Sequence, residues 1–252
     1  MDRFGLYAQY YDLLYQDKDY FLEAQYIDEL IKRHTPSAHS LLNLGCGTGK
    51  HDYLLARLGF KITGVDLSEE MVNQAIKNSP SEISSQLSFL KGDIRTIKLN
   101  KTFDAVVSLF HVMSYLVKNK DLQDAMDTSY RHLKPGGLFI FDCWSGPGVM
   151  TDPPVVRIKR MSDNSINVTR LAEPILNSIE NTVDVNYTIL INPVNSNEVT
   201  EVKETHKMRY LFVKEIELLT ENKFQLLEVN EWLTNKAPGQ NSWNTVFILK
   251  KI

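Results

Sequence analysis

The chain has 252 residues, 43% of them hydrophobic, and no long low-complexity tract, which excludes a disordered chain and allows one domain or one domain carrying a lobe. Its formal net charge of −3 gives no global attraction to a phosphate backbone, so a nucleic-acid partner is not expected. The two cysteines, the lack of an apolar run of about 18 residues and a first segment, Met1-Asp2-Arg3-Phe4-Gly5, without the apolar block of a signal peptide fit a cytoplasmic enzyme with two thiols and no membrane partner.

Residues 1–37 read as an aromatic arm followed by a helix. Tyr7, Tyr10, Tyr11, Tyr15, Tyr20 and Phe21 crowd the arm, Leu22, Tyr26, Ile27, Leu30 and Ile31 recur at helical spacing, and Pro36 and Ser37 stop the helix. Strand and helix then alternate. Ser40–Leu44 reads as a strand, His51–Leu58 as a helix ending at Gly59, and Lys61–Val65 as the second strand. Ser68 opens a helix with Met71, Val72, Ala75 and Ile76 inward and with Glu69 and Glu70 in the first turn, where the helix dipole favours acids. Leu87–Lys91 and Phe103–Leu109 are the third and fourth strands. Asp121 is placed to cap the helix carrying Leu122, Ala125, Met126, Tyr130 and Leu133, which closes at Lys134-Pro135-Gly136-Gly137 before a fifth strand, Leu138–Asp142. Near-continuous apolar strands separated by helices imply a doubly wound, mostly parallel α/β sheet, which binds ligands beyond the carboxyl ends of its strands.

At Gly146-Pro147-Gly148 the pattern changes. Val155–Met161, Ile166–Leu171, Glu180–Ile191 and Thr200–Leu211 read as strands, and Val183, Val185, Tyr187 and Ile189 alternate with polar neighbours as in a sheet with one wet face. Residues 151–211 therefore form an inserted antiparallel β lobe. A helix from Val213 to Asn222 and strands Phe224–Val229 and Ser242–Leu249 complete a parent domain of residues 38–150 and 212–252.

The chemistry concentrates at Leu44-Gly45-Cys46-Gly47-Thr48-Gly49, a strand-to-helix turn whose glycines let the backbone bend and approach a ligand. The spacing is G-x-G-x-G followed by Lys50-His51. It is neither the G-x-G-x-x-G that lays a pyrophosphate on a helix N-terminus nor a phosphate-binding G-x-x-x-x-G-K-[ST]. Asp66 ends the second strand, where a carboxylate can accept both hydroxyls of a ribose; its other use, a helix N-cap, falls better to Ser68. Asp93, in Gly92-Asp93-Ile94, either takes an adenine amino group while Ile94 covers the ring or satisfies its own turn.

In their order, Leu44–Gly49, Val65-Asp66-Leu67-Ser68, Gly92-Asp93, Phe103-Asp104-Ala105-Val106 and Leu133–Gly137 resemble the class I S-adenosylmethionine-dependent methyltransferases over about residues 38–144. The resemblance implies a seven-stranded Rossmann-like sheet, S-adenosyl-L-methionine as cofactor and S-adenosyl-L-homocysteine as product. It implies Gly45 and Gly47 at the methionine end, Asp66 at the ribose, Leu67, Met71, Asp93 and Ile94 at the adenosine, and Leu109 at the end of the fourth strand, with Cys46, Gly49 and Gly92 completing the candidate cofactor set. A narrower resemblance, carried by Tyr10-Tyr11-Asp12-Leu13-Leu14-Tyr15, Lys18-Asp19-Tyr20, Glu23 and the inserted lobe, is to bacterial N-methyltransferases acting on the amine of nucleotide-linked deoxyamino sugars. It implies that Tyr11 and Tyr20 fold over the cofactor; alternatively the aromatic arm is core.

That family often carries a histidine base after the fourth strand. Here Tyr115 takes that place, and His111 lies one turn nearer the strand, so each is a candidate base or pocket wall. Trp144 is a wall of the acceptor pocket or a structural tryptophan. The insertion serves as a lid or platform for a small-molecule acceptor, or as a homodimer surface through its sheet edges. His34, His39, His51, His111, His132 and His206 form no compact ligand motif, so no metal is expected. Small-molecule O-methylation, RNA or protein methylation and non-catalytic cofactor binding are the competing functions; the acidic balance disfavours RNA.

Overall fold

The computed structural model describes residues 13–15, 17–196 and 198–252. They divide into two compact units, one made of Tyr20–Thr151 with Arg209–Ile252, the other of Asp152–Met208 with the described residues up to Asp19.

In the larger unit the chain runs through α1 (Tyr20–His34), β1 (Ser40–Leu44), α2 (Lys50–Arg57), β2 (Lys61–Asp66), α3 (Glu69–Lys77), β3 (Leu87–Lys91), β4 (Phe103–Ser108), α4 (Asn119–His132), β5 (Leu133–Trp144) and a short α5 (Gly146–Thr151). The smaller unit contributes β6 (Arg157–Ser162), β7 (Ile166–Asn177), β8 (Thr182–Pro193) and β9 (Thr200–Arg209, its last residue already in the larger unit); α6 (Val213–Thr220), β10 (Phe224–Glu231) and β11 (Asn244–Lys251) follow. The large sheet has the order β10-β11-β5-β4-β1-β2-β3. Strands β1 to β5 pair in parallel, and β11 runs antiparallel to both β5 and β10. The chain steps outward from β1 to β3 on one side, then returns to β4 on the other, so the switch in strand order lies between β1 and β4. Ligands of such sheets bind beyond the carboxyl ends of the strands at that switch.

Both faces of the sheet are covered, which is why its strands read as apolar runs. Leu138 and Ile140 of β5 and Val246 and Ile248 of β11 face a core with Ile27, Leu30 and Ile31 of α1. The intervening Phe139, Phe141, Phe247 and Leu249 face the other core, with Leu122 and Met126 of α4 and Ile216 of α6. At the opposite edge from the switch-point loops, the Asp104 carboxylate accepts from Ser40 Oγ at 2.7 Å and Lys134 Nζ at 2.6 Å, tying β4 to the starts of β1 and β5.

In the smaller unit the four strands lie in the order β6-β7-β8-β9, with β7 and β8 a long hairpin in register from Ile166↔Pro193 to Asn177↔Thr182. Met161, Ile166, Val168, Ile189 and Ile191 bury together with Leu13 and Leu14.

Three local readings are corrected. Asp121 does not cap α4: the helix begins at Asn119, and Asp121 sits in its first turn, 3.2 Å from Arg95 Nη1. The run Lys134-Pro135-Gly136-Gly137 lies within β5, where the pairing with β4 jumps from Phe103↔Leu133 to Ala105↔Leu138; a bulge accommodates a proline that a regular ladder rejects. Gly146–Thr151 is a helical turn despite its glycines and proline: Gly146 and Gly148 are buried, and a Cβ on Gly148 would lie 2.3 Å from the Ser242 carbonyl oxygen.

The larger unit closes its own seam where the insertion leaves and returns. Leu211 N donates to Trp144 O at 2.9 Å, Gly146 N to Leu211 O at 2.9 Å, and Ser145 bridges Leu211 in parallel. Beside the seam Arg209, 7% exposed, pairs with Glu215 and donates to Asn119 Oδ1 at 2.7 Å and Val117 O at 3.2 Å.

Candidate functional site

The glycine turn leaves β1 at the switch point. Gly45 N and Cys46 N both donate to Val65 O, at 2.7 and 3.0 Å, so the last ladder bonds of β1 hand the chain into the turn. Gly45, Gly47 and Gly49 all have positive φ. Two of these positions need glycine for different reasons. A Cβ on Gly45 would stand 2.6 Å from both methyls of Val112, whereas a Cβ on Gly47 would meet nothing within 4 Å among the described residues. Gly45 is therefore glycine to let another loop in, whereas the space a side chain would take at Gly47 is open among the described residues. Cys46 faces inward with Val72, Ala75 and Phe89, and burial pushes its thiol well above the usual range.

Asp66 at the end of β2 accepts from Gly47 N through Oδ2 at 2.8 Å and from Ser68 N through Oδ1 at 2.9 Å. Ser68 caps α3, its hydroxyl accepting from Met71 N at 3.3 Å. Asp66 is thus free of capping and shapes the glycine turn. Gly92 N donates to Asp66 O at 2.8 Å, which brings the end of β3 alongside. The Asp93 carboxylate accepts from Arg95 N and Nε at 2.9 Å and from Nη2 at 2.5 Å; Arg95 holds it below the usual carboxylate range. Leu67 is exposed and Met71 half-buried, while Ile94 and Leu109 are buried in the cores on opposite faces of the sheet.

Behind the turn, Asn43 Nδ2 donates to both oxygens of Asp52 at 3.2 and 3.0 Å. Asp52 is fully buried, and that burial pushes its carboxyl up to about 7. On the preceding residue His51 Nε2 lies 2.6 Å from Glu23 Oε2 of α1, with both groups buried. The Tyr20 ring meets His51 edge-on at 4.9 Å, and Lys50 Nζ lies 5.4 Å over it. Tyr20 accordingly stands against the helix that the glycine turn starts. Tyr11 lies outside the described residues.

The loop after β4 carries the second half of the site. Phe110 and His111 have φ of 66° and 61°, two successive left-handed non-glycine residues. Each costs on the order of 1–2 kcal/mol, strain that persists only where surroundings impose it. Here Val112 is wedged against Gly45, Ser114 Oγ accepts from Trp144 N at 3.1 Å, and Asp142 Oδ2 accepts from His111 N at 3.1 Å. Asp142, near the end of β5 and 1% exposed, also places Oδ2 2.7 Å from His111 Nδ1, close but short of an aligned hydrogen bond. The His111 ring faces Trp144 edge-on at 6.4 Å, and Trp144 faces Trp243 at 5.5 Å. Tyr115 is 49% exposed at the end of the same loop.

Sequence reasoning missed the pairs His111–Asp142, Glu23–His51 and Asn43–Asp52. The signal available was a polar residue inside an apolar strand, as in Leu41-Leu42-Asn43-Leu44 and Phe139-Ile140-Phe141-Asp142. No group of three or more His, Cys, Asp or Glu able to hold a metal occurs among the described residues. Among them, too, no helix is long and apolar enough to cross a membrane.

Comparison with known proteins gives a consistent picture. A family described as a methyltransferase domain matches residues 41–137. The chain is 30% identical over 216 residues to a dTDP-3-amino-3,6-dideoxy-alpha-D-glucopyranose N,N-dimethyltransferase of Streptomyces fradiae, an alignment covering 85% of this chain and 81% of the relative. It is 37% identical over 149 residues to a dTDP-3-amino-3,4,6-trideoxy-alpha-D-glucopyranose N,N-dimethyltransferase of Streptomyces venezuelae; that match covers 58% of this chain and 60% of the relative, less than two thirds of its length. The crystal structure of Streptomyces venezuelae DesVI superposes with a TM-score of 0.79 at 25% identity, over 98% of each chain.

Proposed function

Because the chain belongs to the class I S-adenosylmethionine-dependent methyltransferases and is related to the bacterial nucleotide-sugar N-methyltransferases, we propose that it methylates the amine of a nucleotide-linked amino sugar. The observation that carries this reading is the 30% identity over 216 residues to an amino-sugar N,N-dimethyltransferase; the wedge of Val112 against Gly45, which sets the loop bearing His111 against the glycine turn, fits it.

The residues of the turn suit the cofactor. Gly47 offers open backbone, and Asp66 is an uncapped carboxylate whose two oxygens retain lone pairs for a pair of hydroxyls. We assign Gly45, Cys46, Gly47 and Gly49 to the methionine end by their backbone, Asp66 to the ribose, and Leu67, Met71, Gly92, Asp93 and Ile94 to the adenosine. Tyr20 and the backbone of Leu109 complete the set. Asp93 keeps Arg95 as its partner while one oxygen serves the adenine amino group, since an ionised carboxylate has about four acceptor sites. When bound, S-adenosylmethionine supplies a methyl group on a sulfonium, and the C–S electron pair returns to sulfur to leave S-adenosylhomocysteine.

The protein's own work is alignment, exclusion of water and one proton transfer. A sugar amine is protonated near neutral pH and has no lone pair to attack with. His111 takes that proton, and Trp144 with Tyr115 walls the acceptor. The nitrogen lone pair so released forms the new N–C bond.

The test is incubation of the purified chain with S-adenosylmethionine and dTDP-3-amino-3,6-dideoxy-α-D-glucopyranose, read by mass spectrometry, with calorimetry of S-adenosylhomocysteine in parallel. Gain of one or more methyl groups on nitrogen is expected. Binding of S-adenosylhomocysteine without transfer to this or other nucleotide-linked amino sugars, or methylation of a hydroxyl instead, would overturn the assignment of the acceptor and leave the cofactor site standing.

A further inference from the structure

We infer that Asp142 is a positioning residue that holds His111 as the Nδ1–H tautomer, so that Nε2 is the atom that receives the acceptor's proton. The inference rests on the reading of His111 as the base and goes beyond it by naming the atom and the group that selects it.

Three observations support it. First, Asp142 Oδ2 serves the His111 residue twice, accepting its backbone N–H at 3.1 Å and lying 2.7 Å from its Nδ1. A single carboxylate oxygen thereby fixes the main chain and the ring together, in a backbone conformation that non-glycine residues avoid. Second, an ionised carboxylate can only accept. With the imidazole proton on Nε2, the Nδ1 lone pair would confront Oδ2 at 2.7 Å, acceptor against acceptor; with the proton on Nδ1 the contact is attractive. Third, Nδ1 is buried while the side chain as a whole is 18% exposed, so the exposed part of the ring is the part away from Asp142. Asp142 Oδ1 is also buried and makes no hydrogen bond among the described residues, a costly arrangement for a carboxylate with no compensating neighbour. That compensation falls to His111, and it strengthens when the ring carries the acceptor's proton. The balance of the step is simple: the acceptor ammonium loses H⁺ to Nε2, His111 becomes imidazolium beside Asp142, and the amine keeps the electron pair.

The tautomer can be read without any substrate, from two-bond ¹⁵N–¹H correlations of protein labelled in its histidine rings, with His111→Asn identifying the signal. Nδ1–H is expected in the native protein, with a shift toward Nε2–H in Asp142→Asn; a native Nε2–H tautomer would overturn the inference. Kinetics with the dTDP-linked amino sugar supply the functional arm. Asp142→Asn should lower kcat about 10- to 100-fold near neutral pH, with S-adenosylhomocysteine affinity within about two-fold of native. The deficit should shrink as pH rises past the acceptor amine's own titration, because a free amine needs no base. A deficit independent of pH marks a merely structural role and overturns the inference. His111→Gln added to Asp142→Asn should cost little more, since the two act as one unit. Should Asp142→Asn fail to bind S-adenosylhomocysteine, the native tautomer decides. Should the native chain not methylate the amino sugar, the proposed acceptor fails and the tautomer still decides the role of Asp142.

Discussion

Glu23 and His51 meet at 2.6 Å where α1 crosses the start of α2, each less than a tenth exposed. The contact locks the first helix to the helix that begins at the glycine turn, and Tyr20, one turn earlier on α1, completes the joint against the His51 ring. Glu23→Ala removes a buried hydrogen bond involving a carboxylate and should cost about 2 kcal/mol. Urea denaturation monitored by tryptophan fluorescence should show a lower midpoint at unchanged slope, with His51→Ala and the double variant no worse than either single change.

Asp52 gives the protein a pH dependence of its own. With its folded carboxyl pushed up to about 7 by burial and its unfolded value near 3.8, the native state holds a proton that the unfolded chain has already lost across that window. Stability from this group is therefore highest below about pH 4, falls as pH rises from about 4 to 7, and is level above that, the total being at most about 4 kcal/mol. Asp52→Asn keeps the partnership with Asn43 and abolishes the slope. Denaturation midpoints from pH 4 to 8 should show the variant gaining on the native protein as pH rises; parallel curves would contradict the assignment.

At Gly47 fold and function should separate. Gly47→Ala places a methyl where no described atom lies within 4 Å, so the cost to folding is the left-handed backbone alone, on the order of 1–2 kcal/mol. The same methyl intrudes on the face assigned to the cofactor, and S-adenosylhomocysteine affinity measured by calorimetry should fall at least about 10-fold, or 1.4 kcal/mol. Equal affinity in the variant would make the turn structural only.

Arg209 anchors the return of the chain from the insertion. Arg209→Met leaves Glu215 half-buried without its cation and strips Asn119 and Val117 of a donor, which should destabilise the protein by about 3–5 kcal/mol. Arg209→Lys should recover little, because an ammonium cannot span three acceptors in the fixed fork that guanidinium provides.

Much of this architecture is legible in the chain itself. The strands β1 and β3 fall at the expected residues, the cap at Ser68 forms, and the inserted strands follow the alternation of Val183, Val185, Tyr187 and Ile189, because each rests on local periodicity or local hydrogen bonding. Of the candidate site, the glycine turn shows in the sequence because its residues are consecutive, and Asp66 because it ends an apolar strand. Asp142 and His111 are 31 positions apart and Glu23 and His51 are 28, and those partnerships arise from strand order and helix docking, which no local pattern encodes. The α5 turn at Gly146–Thr151 was hidden for a related reason: its glycines answer the close approach of Ser242 and Phe212 rather than a backbone that needs to break.

The seam at Trp144, Ser145, Gly146 and Leu211 has an entropic corollary. Because the larger unit joins its own ends there by main-chain hydrogen bonds, residues 152–208 amount, for that unit, to a single long loop whose anchor points are already in place. Closing such a loop costs only about 0.6 kcal/mol more for each doubling of its length. For the larger unit, then, a longer or shorter insertion changes the closure entropy little, and its sheet can hold the same anchor points whatever length of chain lies between them.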